Sequence, residues 1–128
     1  MKVGTIMSKM LTRELTGAYL SYKVAEAMGY VGCVVNLQGK CVQPYIKNGV
    51  TQYREIDYTN RPEVVLAILK THGIITCNLK GKKWWACVVD AKTKNFSNKT
   101  GVYGSTLEEA VFRCLILKLY GEEVEIIL

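Results

Sequence analysis

Apolar residues recur at helical spacing in three parts of the chain. The spacing predicts helices over residues 17–28, 61–71 and 107–120. Thr16, Asn60 and Thr106 stand where these helices would begin, and their short polar side chains favour an N-cap role. Glycines, which favour helix termination, follow the three segments: Gly29, Gly73 and Gly121.

Apolar runs and alternating stretches between the predicted helices indicate strands. They cover residues 31–37, 41–43, 51–58, 74–79, 84–90, part of 96–103 and, as an edge strand or a dimer contact, 123–128. The clearest hairpin joins 74–79 to 84–90 through a lysine-rich turn. On this hairpin we expect Trp85 and Cys87 to face the core, and Trp84 to face the other way.

From residue 60 onward the predicted order is helix, two or three strands, helix. This order favours an α+β fold, with an antiparallel sheet and two or three helices packed mainly on one face. The length of 128 residues is that of one domain, so residues 1–128 are expected to form a single α+β domain. No apolar run approaches the roughly 18 residues of a membrane span. The first residues also lack the apolar core of a secretory signal, so we expect a cytoplasmic protein without a membrane partner.

The residue types that usually carry catalysis are sparse. The five cysteines show no Cys-x-x-Cys spacing and are expected to be buried free thiols; the alternative is a disulfide between Cys77 and Cys87. The single histidine, His72, ends the second predicted helix, where it would interact with the helix dipole; a general-base role is the alternative. Acid pairs, nucleophile elbows, phosphate loops and dinucleotide fingerprints are absent. The sequence therefore predicts no enzyme, no catalytic residue, no metal and no cofactor.

The net charge of +6 is concentrated around the predicted hairpin. Six lysines lie between residues 80 and 99: Lys80, Lys82, Lys83, Lys92, Lys94 and Lys99. Such a cluster attracts phosphates; the alternative is a solvated turn that protects a sheet edge. Trp84, on the face opposite Trp85, is either covered by another element or available for stacking a nucleobase.

Tyrosines and arginines occur together before the second predicted helix. An aromatic ring next to a guanidinium is suited to holding a nucleobase and its phosphate. The sequence therefore predicts a site for a small anion, of nucleotide type, and these candidate ligand-binding residues: Tyr53, Arg54, Tyr58, Arg61, Lys82, Lys83, Trp84, Lys99 and Tyr103.

Several short motifs occur in a characteristic order along the chain. Residues 14–17 (Glu-Leu-Thr-Gly) come first, residues 58–60 (Tyr-Thr-Asn) precede a helix that ends in Gly-Ile, Trp84 lies in the next strand, and residues 121–124 (Gly-Glu-Glu-Val) follow the last helix. This order resembles the NinX-like family of small phage proteins. The resemblance implies a phage accessory protein in the cytoplasm of the bacterial host. Some small non-catalytic phage proteins counter host defence by sequestering cyclic nucleotide signals in basic, aromatic pockets between subunits.

Residues 60–120 also have the predicted order helix, three strands, helix, and residues 101–105 (Gly-Val-Tyr-Gly-Ser) precede the last helix. This order resembles the double-stranded-RNA-binding domain, which implies contacts with duplex RNA. Our leading hypothesis is a phage-encoded, homo-oligomeric sponge that sequesters a nucleotide-type host immune signal. The alternatives are a protein that binds duplex RNA or DNA, and a protein inhibitor of a host defence enzyme.

Overall fold

The computed structural model describes residues 7–58, 61–81, 83–89 and 101–127. Within these ranges the chain forms three α-helices: α1 (Gly17–Ala27), α2 (Pro62–His72) and α3 (Leu107–Tyr120). A short 3-10 helix, Thr12–Glu14, precedes α1. The predicted helices are confirmed, and each boundary lies within one residue of its expected position.

Eight strands complete the described part of the chain: β1 (Met7–Leu11), β2 (Val34–Val35), β3 (Cys41–Lys47), β4 (Val50–Glu55), β5 (Ile74–Leu79), β6 (Lys83–Val88), β7 (Val102–Gly104) and β8 (Glu123–Ile127). All pairings between them are antiparallel, and the expected α+β class is confirmed. The strands form three small sheets, with the orders β1-β8, β2-β3-β4 and β5-β6-β7, where the sequence predicted one sheet. Helix α2 separates the strands of the second sheet from those of the third along the chain. The β1-β8 sheet, in contrast, joins the two ends of the described chain.

Local capping interactions explain the start and end of two helices. Thr106 Oγ1 accepts a hydrogen bond of 3.1 Å from the Glu109 N–H, and Glu109 Oε1 accepts one of 3.0 Å from the Ser105 N–H. The first bond satisfies an amide donor that α3 itself leaves unpaired, and the second joins the helix to the residue before its N-cap. Helix α2 ends at Gly73, whose φ of 64° lies in the left-handed region that favours glycine. Asn60, the predicted cap of α2, lies outside the described residues.

Helix α3 lies at the centre of the hydrophobic core. Seven of its residues are buried: Ala110, Val111, Phe112, Cys114, Leu115, Ile116 and Leu117. They are covered by α1, by α2 and by the β5-β6-β7 sheet. The Phe112 ring meets the edge of the Tyr58 ring at a centroid distance of 6.3 Å and an interplanar angle of 72°, a favoured aromatic arrangement.

The predicted orientation of the tryptophan hairpin is wrong. Trp84, and not Trp85, packs against the core together with buried Ala86. The reason lies on the neighbouring strand, where Gly104 is directly opposite Trp84. A Cβ at Gly104 would lie 2.4 Å from the Ala110 backbone nitrogen, so α3 rests on this face of the sheet. Cys87, which was expected in the core, is buried but lies on the other face.

The two ends of the described chain pair with each other. Met10 is opposite Val124 in an antiparallel ribbon, so the predicted C-terminal strand is confirmed and gains a partner that the sequence did not indicate. Next to this ribbon, buried Thr12 donates through its hydroxyl to the Gly121 carbonyl and through its N–H to the Glu122 carbonyl, at 2.8 Å. None of the helices in the described ranges is long and apolar enough to cross a membrane.

Candidate functional site

An open pocket, here called the lysine pocket, lies where the hairpin turn, β7 and the start of α3 meet. Its volume is about 490 Å³. It is lined by Gly81, Lys83, Tyr103, Gly104, Ser105 and Arg113. Two of the predicted ligand-binding residues, Lys83 and Tyr103, are therefore brought together here.

Strand pairing positions the cation and the ring of the lysine pocket. Trp85 is directly opposite Tyr103, so Lys83 lies diagonally across from the tyrosine on the same face of the sheet. The Lys83 Nζ is 4.5 Å from the centroid of the Tyr103 ring, a cation–π distance. The Tyr103 side chain is 48% exposed, so part of this ring is accessible from solvent. No carboxylate in the described part of the chain forms an ion pair with Lys83.

Arg113 is a lining residue that sequence reasoning missed. Its Nη1 donates to the Tyr103 carbonyl at 2.9 Å, and its Nε donates to the Leu15 carbonyl at 2.7 Å. Its Nη2 is 3.2 Å from Glu109 Oε1, in an ion pair whose two side chains are each 14% exposed. Arg113 thus fastens β7 to α3, and Glu109 compensates its charge. The i,i+4 spacing of these two residues on a predicted helix was the available signal.

A second group of predicted residues forms a separate and smaller pocket, here called the arginine pocket. It lies between the base of the β3–β4 hairpin and the start of α2, with a volume of about 100 Å³. Arg54, Tyr58 and Arg61 line it together with Gln43 and Tyr30. The two pockets share no lining residue.

The other predicted ligand-binding residues lie in neither pocket. Tyr53 is 62% exposed on β4. Trp84 is half-buried and packs against the core cluster. Lys82 and Lys99 lie outside the described residues. The sequence predicted one convergent site, whereas the described residues from this set divide between two pockets.

Burial raises the pKa of four of the five thiols and lowers that of the histidine. Burial raises the pKa of Cys41 to about 11 and that of Cys114 to about 12, so both thiols are neutral at pH 7. All five cysteines are free, and the expectation that all are buried is wrong for Cys77, which is exposed. His72 Nδ1 lies 3.1 Å from Lys118 Nζ, and partial burial together with this cation lowers the histidine pKa. Across the described ranges, no cluster of three or more His, Cys, Asp or Glu side chains is placed to hold a metal ion.

Comparison of the chain with protein-family models and with curated proteins gives no match. The functional interpretation therefore rests on the two pockets. The lysine pocket has a volume within the range of about 300–1,000 Å³ that is typical of sites for small organic ligands. The arginine pocket, at about 100 Å³, is well below that range.

Proposed function

We propose that this protein is a non-catalytic binding protein that holds a small nucleotide-type anion in the lysine pocket. The observation that carries the proposal is the Lys83 ammonium group, 4.5 Å from the Tyr103 ring, in an open pocket of about 490 Å³. Among the described residues no carboxylate pairs with this ammonium group, and its positive charge attracts a phosphate. The adjoining aromatic face offers a nucleobase a stacking surface, which contributes about 1–3 kcal/mol per base in related recognition.

The pocket chemistry supports retention of the ligand without its conversion. Among the described residues that line it there is no thiol, no carboxylate and no imidazole. Arg113 donates to two backbone carbonyls and pairs with Glu109. We therefore assign it a structural role in the pocket lining and no role in stabilising a reacting group. Binding without conversion lowers the free concentration of the ligand. In the phage setting that the NinX-like resemblance implies, the protein would withhold a nucleotide immune signal, and a second copy of the chain would close the open side of the pocket.

Calorimetric titration with mononucleotides, cyclic mononucleotides and cyclic dinucleotides tests this proposal. We expect saturable binding of at least one member of the panel. Loss of one charge-assisted contact of about 1.5–3 kcal/mol corresponds to roughly 10- to 100-fold weaker binding, so Lys83→Gln is expected to weaken it by that factor. Tyr103→Leu removes the stacking face and is expected to weaken binding by about tenfold or more.

Lys70→Gln provides the matched control, because Lys70 is an exposed lysine on α2 and lies outside the pocket. Its affinity should equal that of the unaltered protein. Absence of heat with every nucleotide, in a sample whose circular dichroism shows a folded protein, would reject the proposal. Equal losses from Lys83→Gln and Lys70→Gln would also reject it, since they would indicate a general charge effect.

Duplex RNA binding is the second candidate, and the order of elements favours it. The chain runs α2, β5, β6, β7, α3, with an antiparallel sheet and with α2 packed against α3. One feature counts against this candidate: Glu108 and Glu109 lie in the first turn of α3, where their negative charges would repel a phosphate. A gel-shift or fluorescence titration with duplex RNA at several salt concentrations distinguishes the candidates, because duplex binding should weaken steeply as salt rises. Binding that is absent, or insensitive to salt, would remove this candidate.

A further inference from the structure

The arginine pocket carries two positive charges for which the described residues supply no ion pair. Neither Arg54 nor Arg61 forms an ion pair with a carboxylate in the described ranges. The pocket does include one acidic side chain, Glu55, but its Oε2 lies 3.5 Å from Lys40 Nζ. Two guanidinium groups therefore adjoin a cavity in which the one carboxylate of the described lining already has a cationic partner.

Neighbouring side chains contact both guanidinium groups. Arg54 donates from Nη2 and Nε to Gln43 Oε1, at 2.9 and 3.2 Å, and its Cζ is 5.9 Å from the centroid of the Tyr45 ring. Arg61 Cζ is 5.9 Å from the centroid of the Tyr58 ring. These contacts use only part of the five N–H donors of each guanidinium, so further donors remain for a ligand.

Neutral donors adjoin the two cations. Gln43 uses its carbonyl oxygen for Arg54, which leaves its amide NH₂ group as a donor. Tyr58 is 3% exposed and lines the pocket. Burial raises the pKa of Tyr58 to about 12, so its hydroxyl retains the proton at neutral pH. The set of two guanidinium forks, an amide and a phenol is suited to an acceptor with several oxygens.

We propose that the arginine pocket binds a single phosphate group, either as inorganic phosphate or as the phosphate of a monoester. A volume of about 100 Å³ lies well below the range of about 300–1,000 Å³ that is typical of sites for larger organic ligands, and this small size suits a compact oxyanion. This site is independent of the nucleotide proposal, because its lining includes neither Lys83 nor Tyr103.

The arginine side-chain Nε–Hε signals provide a direct test by nuclear magnetic resonance. The chain contains four arginines, so single Arg→Gln variants assign every signal. Inorganic phosphate is titrated at constant ionic strength, with chloride as the balancing anion. We expect the signals of Arg54 and Arg61 to shift along one common saturation curve. Arg13 serves as the internal control, because Glu122 already pairs with it and it lines neither pocket.

Matched variants then distinguish a specific phosphate site from nonspecific attraction of phosphate to the positively charged protein. Arg61→Gln and Arg54→Gln are each expected to weaken phosphate binding by about tenfold or more. Lys47→Gln removes the same charge from an exposed position on the same hairpin, and its affinity should stay within about twofold. Lys83→Gln should also leave phosphate affinity unchanged, so this test can fail or succeed independently of the nucleotide test.

Three results would overturn the proposal: no saturable shift at millimolar phosphate, equal losses in Lys47→Gln and Arg61→Gln, or shifts confined to Arg13 and Arg113. Circular dichroism of each variant confirms that it is folded before its affinity is interpreted. Glycerol phosphate, titrated in the same way, identifies the source of the ligand. Competition with inorganic phosphate indicates a monoester site, and binding of inorganic phosphate alone indicates a site for the free ion; the variant pattern must hold in either case.

Discussion

Helix α3 and the β3–β4 hairpin both contain apolar residues, yet the surroundings of these residues differ. Half of the 14 residues of α3 are buried, under α1, α2 and the β5-β6-β7 sheet. All six residues of β4 are exposed, and β3 is its only strand partner in the described part of the chain. The difference shows that apolar character does not by itself bury a segment, since burial also needs neighbouring elements on its faces.

Each of the two regions contributes to one of the two pockets. The lysine pocket is built against the buried region, because Arg113 of α3 holds the β7 carbonyl that precedes Gly104. The arginine pocket lies at the base of the exposed hairpin, and its only buried aromatic residue among those described is Tyr58. We therefore expect core substitutions to disturb the lysine pocket, and substitutions at the hairpin tip to leave both pockets intact.

Of the substitutions that compare these two regions, Phe112→Ala is expected to lower the free energy of unfolding the most. Phe112 is fully buried and contacts the Tyr58 ring, so its truncation leaves a cavity in the centre of the core. Loss of a buried phenylalanine typically costs about 3–5 kcal/mol of the free energy of unfolding. Urea denaturation followed by circular dichroism measures this loss. A loss below about 1 kcal/mol would contradict the central position of α3.

Gly104→Ala tests how closely α3 approaches the sheet. The added Cβ would lie 2.4 Å from the Ala110 nitrogen, and backbone atoms cannot move aside without shifting the helix. Overpacking of this kind usually costs about 1–3 kcal/mol. Gly101→Ala is the matched control, since its Cβ would meet the Trp85 side chain at 3.2 Å and a side chain yields more easily. Equal stability of Gly104→Ala and the unaltered protein, in the same denaturation assay, would argue against this packing.

Ile46→Ser is expected to have the smallest effect. Ile46 is 77% exposed on the hairpin, so the substitution should change the free energy of unfolding by no more than about 0.5 kcal/mol. The same urea assay, repeated at two protein concentrations, measures the change. A loss above 1 kcal/mol that grows with protein concentration would mean that a second copy covers the hairpin in solution, and the contrast with α3 would no longer hold.

The strands were predicted less well than the helices, and the errors have physical causes. The expected strand over residues 31–37 is reduced to Val34–Val35, because Val31 and Leu37 are both largely exposed and find no neighbouring strand. The hairpin of Trp84 was located correctly, but its buried face was reversed. Alternation shows that two faces exist, and only the position of α3 shows which one is covered.

Sequence reasoning identified five of the residues that line the two pockets: Arg54, Tyr58, Arg61, Lys83 and Tyr103. It grouped them as one site, because sequence proximity and charge do not measure distance in space. Arg113 was missed, since its role depends on carbonyls of Leu15 and Tyr103 that only folding brings within reach.

The sequence by itself determined the three helices and the α+β class of this protein. Helical periodicity and capping depend on residues three or four positions apart, so they are readable along the chain. Tertiary structure decided the pairing of Met10 with Val124, the covered face of the hairpin and the separation of the two pockets. These features depend on contacts between distant residues, and such contacts are fixed by how the elements pack together.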